Sequence, residues 1–298
     1  MPARNEGERV AQALLSFAAA RSELFPLEIV VVDDSSEDGC CDGLGDLLSW
    51  ERDRAWVRVV RLNRWSGIPY ARNCGAAAAR GAVLFITDAN VEVSRGWDVP
   101  IQRDLRPDRA LCAAIADRSS CWRGYGCWLD LPSMGTHWLP TPRAYGGYVP
   151  VMTEAATILP ASLFLRVGGY DTGMPVYGAS EPEFSVRLWL HGAEIVQCPD
   201  VVLTHRFRPA TEQRPFFQRI NALLVQNYLR FGLLYLDEAG VARLVRHYMR
   251  QSPDCCRRAL DTLALSDIWA RRRHLKERLT HDFCWYACRF RLPVGEIF

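Results

Sequence analysis

No run of about 18 or more apolar residues occurs in the chain, so nothing reads as a membrane-spanning helix, and no signal sequence is expected ahead of the fold. The most apolar helical candidate, "FFQRINALLVQNYLRFGLLYL", is interrupted by Arg219, Asn221, Gln226, Asn227 and Arg230. A surplus of charge is also missing. The formal net charge is +2, which offers no particular attraction to nucleic acid or an acidic membrane surface. Internal repeats, low-complexity tracts and flexible linkers are absent, which excludes solenoids and tethered modules. Cysteine is plentiful, but the eleven residues are odd in number and irregular in spacing, so they form no disulfide framework. Reduced thiols in a cytoplasmic chain are the expectation. Cys121, Cys127 and His137 lie near one another in sequence, yet no close cysteine pair faces a second one, and ordinary packing is the better reading than zinc.

What is present fits a globular α/β protein. Over 298 residues, 49% are apolar and 23% charged, enough to bury a substantial core. The first half alternates strand and helix signals. "LEIVVVDD" is an apolar run ending in acids, "VRVVRL" a second strand, "IPYARNCGAAAARG" a helix closed by Gly81, and "AVLFITDA" a third strand. Continuous rather than alternating apolar strands predict burial on both faces, hence a mainly parallel sheet between helices. "PARNEGERVAQALLSF" reads as a loop entering a helix with Val10, Leu14, Phe17 and Ala18 on one face. A buried strand normally precedes such a loop, and here only Met1 and Pro2 stand in its place. From 118 to 150 the chain turns rich in Trp, Tyr, Gly, Pro and Cys, as binding loops over one face of a sheet would be. A helix from about Glu183 to Leu190, stopped by Gly192, precedes strand segments ending on His205, and the last ninety residues or so are helical and arginine-rich.

In open α/β sheets, ligands bind beyond the carboxyl ends of the strands. Asp33, Asp34 and Asp88 fall there. Asp33 and Asp34 could accept the N–H of a base or a ribose hydroxyl, or simply cap the following turn. Arg72 could pair with a carboxylate or a pyrophosphate, or be an ordinary helix-surface arginine. Asp88 is more pointed, because a carboxylate closing a fully apolar strand must be solvated, paired or bound to a cation. Asn90 follows it by two residues. His205, at the end of "VVLTH", is the candidate imidazole, and "RFR" after it, with Arg208, could meet a phosphate. Hard oxygens with one imidazole suit manganese or magnesium. Glu181 and Glu183 either favour a helix dipole or act near an acceptor, and Ser180 with Glu183 also fits a capping box.

Together these stretches resemble a known family. "EIVVVDDSSEDG" and "GIPYARNCGAAAARGAVLFITDANVEVSRGW" look like the nucleotide-sugar half of family 2-type glycosyltransferases of the GT-A fold. "YDTGMPVYGASEPEFSVRLWLHGAEIVQCPDVVLTHRFR" is similar to the acceptor-side block of the polypeptide N-acetylgalactosaminyltransferases, and "RRRHLKERLTHDFCWYACRF" looks like their closing segment. The resemblance implies an α/β GT-A (nucleotide-diphospho-sugar transferase) fold without a lectin domain. It divides the chain into a catalytic domain over 1–210, with a nucleotide-sugar half to 117 and an acceptor and metal half after it, and a helical extension over 211–298. It also implies a metal-dependent hexosyltransferase moving an N-acetylhexosamine from UDP to a Ser or Thr hydroxyl with retention, using Mn2+ or Mg2+. Asp88 and His205 would then bind the metal, Asp33 or Asp34 would contact uridine, Tyr177 would sit in the loop that closes over donor and acceptor, and Glu183 would match the second glutamate of the loop-to-helix motif.

The sequence departs from that family at several points. Asn90 stands where the family has a metal-binding histidine, Ser180-Glu181 replaces a Glu-Asn pair, and Gly178-Ala179 replaces Gly-Gly. Two rival functions follow: an inverting enzyme acting on a saccharide or natural product with Glu181 or Glu183 as general base, and a catalytically inactive nucleotide-binding homologue.

Overall fold

The computed structural model describes residues 1–22, 25–49 and 53–293. Its first sheet is parallel throughout, with β1 (Pro2–Ala3), β2 (Leu27–Asp33) and β3 (Ala55–Arg61) in the order β1-β2-β3. The strand expected before the first helix is thus present, but only as two residues. The second sheet runs β4-β10-β6-β11-β5, from β4 (Val83–Ile86), β5 (Val91–Val93), β6 (Arg109–Asp117), β10 (Thr157–Pro160) and β11 (Glu194–His205). A short strand β7 (Arg123–Gly124) adds to β6, and β8 (Cys127–Leu129) pairs with β9 (Thr136–Trp138) on its own.

Direction is more mixed than the apolar runs predict. Strands β6 and β11 are parallel, whereas β10 runs antiparallel to both β4 and β6, and β5 antiparallel to β11. Burial on both faces reports that helices cover the sheet, and it does not fix strand direction. The covering is as expected: Val10, Leu14 and Phe17 of α1 (Arg9–Ala19) pack in one core with Ile29 and Val31 of β2, while Ala71 of α2 (Ile68–Ala78) packs with Val30 and Val32. Two shorter helices, α3 (Asp98–Asp104) and α4 (Ala161–Arg166), flank the second sheet.

The helix expected from about Glu183 begins earlier, as α5 (Ser180–Leu190), and the anticipated capping box does not form. Its N-cap is Ala179, in the left-handed region at φ 62°, a conformation that costs a non-glycine residue about 1–2 kcal/mol. The expected stop at Gly192 is there: at φ 79° it lets its own N–H reach Trp189 and that of Ala193 reach Leu188. Helices α6 (Ala210–Tyr235), α7 (Glu238–Gln251), α8 (Pro253–Ala264), α9 (Ile268–Lys276) and α10 (Phe283–Arg289) complete the chain. Leu229, Leu263 and Tyr286 share one core with Trp189 of α5, so these helices are packed onto the α5 side of the molecule. Among the described residues no helix is long and apolar enough to cross a membrane.

His191, at the carboxyl end of α5, carries a pH dependence. Burial, reinforced by Arg187, Arg166 and Arg278, pushes its imidazole down to about 4. The unfolded chain, with an ordinary pKa of about 6.5, therefore takes up this proton first. The contribution to stability is present above that value and is lost as pH falls towards 4. Melting temperatures measured in a buffer series from pH 7 to 4.5 should fall, and His191→Gln should flatten part of that slope; an unchanged slope in the variant would contradict the assignment.

Candidate functional site

The pairing of β5 with β11 builds the centre of the site. Its register sets His205 opposite Val91, and so beside the turn that carries Asp88 and Asn90. His205 Nε2 lies 3.8 Å from Asp88 Oδ2, while Arg72 donates to Asp88 Oδ1 at 2.9 Å. Arg72 is buried on α2 behind the aspartate, with its guanidinium 5.5 Å from the Tyr170 ring. Burial holds the His205 imidazole below the ordinary histidine range and outweighs the opposite pull of Asp88, Glu6 and Asp117. Near neutral pH the ring is therefore uncharged, the form that ligates a cation. Asn90 is tied to the same strand end: its side-chain nitrogen donates to the Arg206 carbonyl at 3.4 Å, and its carbonyl accepts from Arg206 N–H at 3.4 Å. That leaves the amide oxygen as its one donor atom for a metal.

A cavity of about 490 Å³ opens over these residues, lined also by Asp34, Tyr177, Glu181 and Arg208. Asp34 shapes it through its neighbours, since its two carboxylate oxygens accept the Ser66 and Gly67 backbone N–H groups at 2.7 and 2.8 Å. Gly67 is obligatory there, because a Cβ would fall 2.3 Å from the Val176 Cα. Asp33, the other uridine candidate, is not part of the cavity lining. It accepts from Ser36 N–H and pairs with Arg61 at 2.7 Å, which is the capping role. Arg208 reaches Glu6 at 2.5 Å on the cavity rim.

The two glutamates of α5 part company. Glu181 lines the cavity. Glu183 is fully buried outside it: Arg187 donates to both of its oxygens at 2.8 Å, and the Tyr235 hydroxyl donates to one of them at 2.6 Å. Helical spacing explains the correction, for residues i and i+4 share a face, and Glu183 faces Arg187 in the core. Glu183 is a structural ion pair and leaves the catalytic candidates. Cys121 is exposed and Cys127 buried, and among the described residues no group of three or more His, Cys, Asp or Glu side chains is placed to hold a metal ion.

Several lining residues gave no signal in sequence. The Trp65 ring meets the guanidinium groups of Arg4 and Arg219, at 4.9 and 5.4 Å. Trp138 and Phe207 line the cavity, and with Trp122 they form a half-exposed aromatic cluster with ring separations of 4.9 to 6.3 Å. The Tyr177 loop is anchored by Asn227, whose buried side-chain nitrogen lies 2.9 to 3.2 Å from the carbonyls of Pro175, Tyr177 and Gly178. An asparagine inside a long apolar helix was the available clue.

Residues 1–136, which carry Asp34, Arg72, Asp88 and Asn90, match Glycosyl transferase family 2. Over those residues the chain is similar to that family. Among curated relatives, polypeptide N-acetylgalactosaminyltransferase 8 of Drosophila melanogaster is 28% identical over 254 residues, covering 78% of this chain and 42% of that protein. Inactive polypeptide N-acetylgalactosaminyltransferase-like protein 5 of Macaca fascicularis is 28% identical over 237 residues, covering 71% and 50%. The chain thus spans half or less of the length of these curated relatives. A solved structure of GalNAc-T7 with UDP, GalNAc and Mn2+ superposes with a TM-score of 0.76 at 20% identity, covering 99% of this chain and 56% of that one. The chain has a GT-A-like α/β fold matching that structure.

The reassignment of Glu183 has a direct check. Glu183→Ala leaves Arg187 buried without its carboxylate, which should cost about 3–5 kcal/mol in urea unfolding, whereas Glu181→Gln should unfold like the parent. A Glu183→Ala protein of parental stability would return that residue to the site.

Proposed function

We propose that the chain transfers a sugar, an N-acetylhexosamine first among them, from a UDP-sugar to a hydroxyl acceptor, with Ser or Thr of a peptide as first choice. The observation that carries this reading is the convergence of Asp88 and a neutral His205 in the cavity of a GT-A fold. The similarity to N-acetylgalactosaminyltransferases supports the sugar and the acceptor class.

The donor set fits a divalent cation. Metal–ligand distances of about 2.0–2.2 Å allow donors up to about 4 Å apart to share one ion, and Asp88 and His205 stand 3.8 Å apart. The buried Nδ1 of His205 has no hydrogen-bond partner among the described residues, so nothing else fixes the ring's protonation. Asp88 and His205 would hold the ion, with the Asn90 oxygen and the diphosphate itself as further donors. A cation bound there supplies charge neutralisation to the departing diphosphate.

The remaining work falls to the chain's own groups. Arg72 keeps Asp88 aligned from behind. Asp34 fixes the loop at Ser66 and Gly67 against the nucleotide side. Arg208 and Arg4 place positive charge on the rim, where a diphosphate needs it. Tyr177, held by Asn227, closes the acceptor side next to Glu181, and the Trp138–Phe207 wall offers an apolar surface to the acceptor. The eleven free thiols support a cytoplasmic setting.

A second reading rests on Glu181. It is the carboxylate of α5 that lines the cavity, so an inverting reaction with Glu181 as general base is the alternative, and the anomeric configuration of the product separates the two. A metal-stimulated hydrolysis screen over UDP-sugars tests the first reading before any acceptor is known. Asp88→Asn and His205→Ala should each lower the stimulated rate by at least about tenfold with folding intact. Parental rates in either variant would remove the metal assignment, and no hydrolysis or metal-enhanced UDP binding in the parent would favour an inactive homologue.

A further inference from the structure

The pair of Glu6 and Arg208 joins residues 202 apart in sequence, and it puts a carboxylate into a cleft that has to receive an anion. Glu6 is the fixed partner. It lies in the loop between β1 and α1, which is pinned to the turn after β2. Arg4 donates to the Asp34 and Ser35 carbonyls at 2.7 and 2.8 Å, and Gly7 N–H donates to the Asp38 carboxylate at 2.9 Å. Asn5 adds two more bonds, from its N–H to the Ser36 hydroxyl at 3.2 Å and from Glu37 N–H to its side-chain oxygen at 2.8 Å. Asn5 and Gly7 on either side of Glu6 are left-handed, at φ 52° and 56°, a conformation that these two residue types adopt readily.

The Glu6 carboxylate is divided between two arginines. One oxygen accepts from Arg9 of α1 at 3.0 Å, the other from Arg208 at 2.5 Å. Only 14% of the Glu6 side chain is exposed, against 48% of Arg208. Arg208, half exposed on a long stem beyond the end of β11, is therefore the partner with room to swing. Its departure would not strand the carboxylate, because Arg9 still holds one oxygen, so the large penalty of an unpaired buried charge is avoided. A carboxylate in this place opposes a diphosphate in two ways: it repels the ligand, and it occupies a guanidinium that phosphate oxygens would otherwise take.

We propose that Glu6 is a positioning residue that holds Arg208 while the cleft is empty and yields it to the diphosphate of the nucleotide ligand. The inference rests on the reading of the cleft as a nucleotide-sugar site. Arg208 is charge-paired before and after the exchange, with Glu6 first and with a phosphate oxygen second, and Glu6 keeps Arg9 throughout. The same exchange run backwards gives a departing nucleoside diphosphate a competitor for Arg208, so Glu6 favours product release at the expense of affinity.

Calorimetric titration of UDP at a fixed Mn2+ concentration tests this on the parent chain, Glu6→Gln, Arg208→Gln and the double variant. Glu6→Gln should bind UDP about threefold tighter, the scale of a partly exposed ion pair, and Arg208→Gln should bind it more weakly. In the Arg208→Gln background, Glu6→Gln should bring no further gain, because the competition it relieves has no object there. A gain that persists in full without Arg208 would make Glu6 a repelling charge only and overturn the proposal, as would weaker UDP binding by Glu6→Gln. Should Glu6→Gln fail to fold, Glu6→Asp keeps the charge and shortens the reach by one methylene. It should also tighten UDP, and parental or weaker affinity would overturn the proposal. A parent chain that binds no UDP would remove the nucleotide reading itself and this inference with it, an outcome distinct from a parent that binds UDP with no coupling between Glu6 and Arg208.

Discussion

The candidate site depends on one pairing, that of β5 with β11. Without its register, Asp88 and His205 would be the ends of two unrelated strands more than a hundred residues apart in sequence. With His205 opposite Val91, the carboxylate and the imidazole face each other at 3.8 Å. The turn between β4 and β5 is held from behind by Arg72 and from the side by the Asn90 contacts to Arg206. A slip of one residue would turn His205 to the other face of the sheet, and the cavity would keep its shape but lose its chemistry.

Buried charge explains the division of labour around this centre. A carboxylate whose oxygens are taken by a guanidinium cannot also serve an acceptor. Glu183 is held by Arg187 and Tyr235, Asp171 by Arg230 and Arg271, and Asp33 by Arg61 of the neighbouring strand. Asp88 differs in degree. It has one buried arginine partner and keeps a face towards His205 and the cavity, with about a quarter of its side chain still exposed. Arginine suits the structural pairs because its planar fork satisfies two oxygens at once.

Much of this was legible in the chain. Apolar runs ending in acids located β2 and β4, and the glycine after α5 marked its end. The strand direction was not legible, since continuous apolar runs say only that both faces are covered. The start of α5 was not legible: the helix begins at Ser180 rather than near Glu183, because the left-handed Ala179 takes the N-cap place that a Ser180–Glu183 capping box would need at Ser180. Glu183 looked equivalent to Glu181 because spacing alone cannot show which face of a helix meets an arginine in the core. Trp65, Trp138 and Phe207 could not be placed at the site, because their partners Arg4, Arg219 and Trp122 come from distant segments. Asn227 gave a faint signal as a polar residue in an apolar helix, and only its three carbonyl partners show that it anchors the Tyr177 loop.

The most direct measurement is pulsed electron paramagnetic resonance of Mn2+ added to the protein with UDP. The account predicts a nitrogen coupling from one imidazole together with phosphorus couplings, with the nitrogen signal lost in His205→Ala while the phosphorus couplings weaken but persist. A Mn2+ signal showing phosphate and water alone in the parent protein, or a nitrogen coupling that survives His205→Ala, would contradict it.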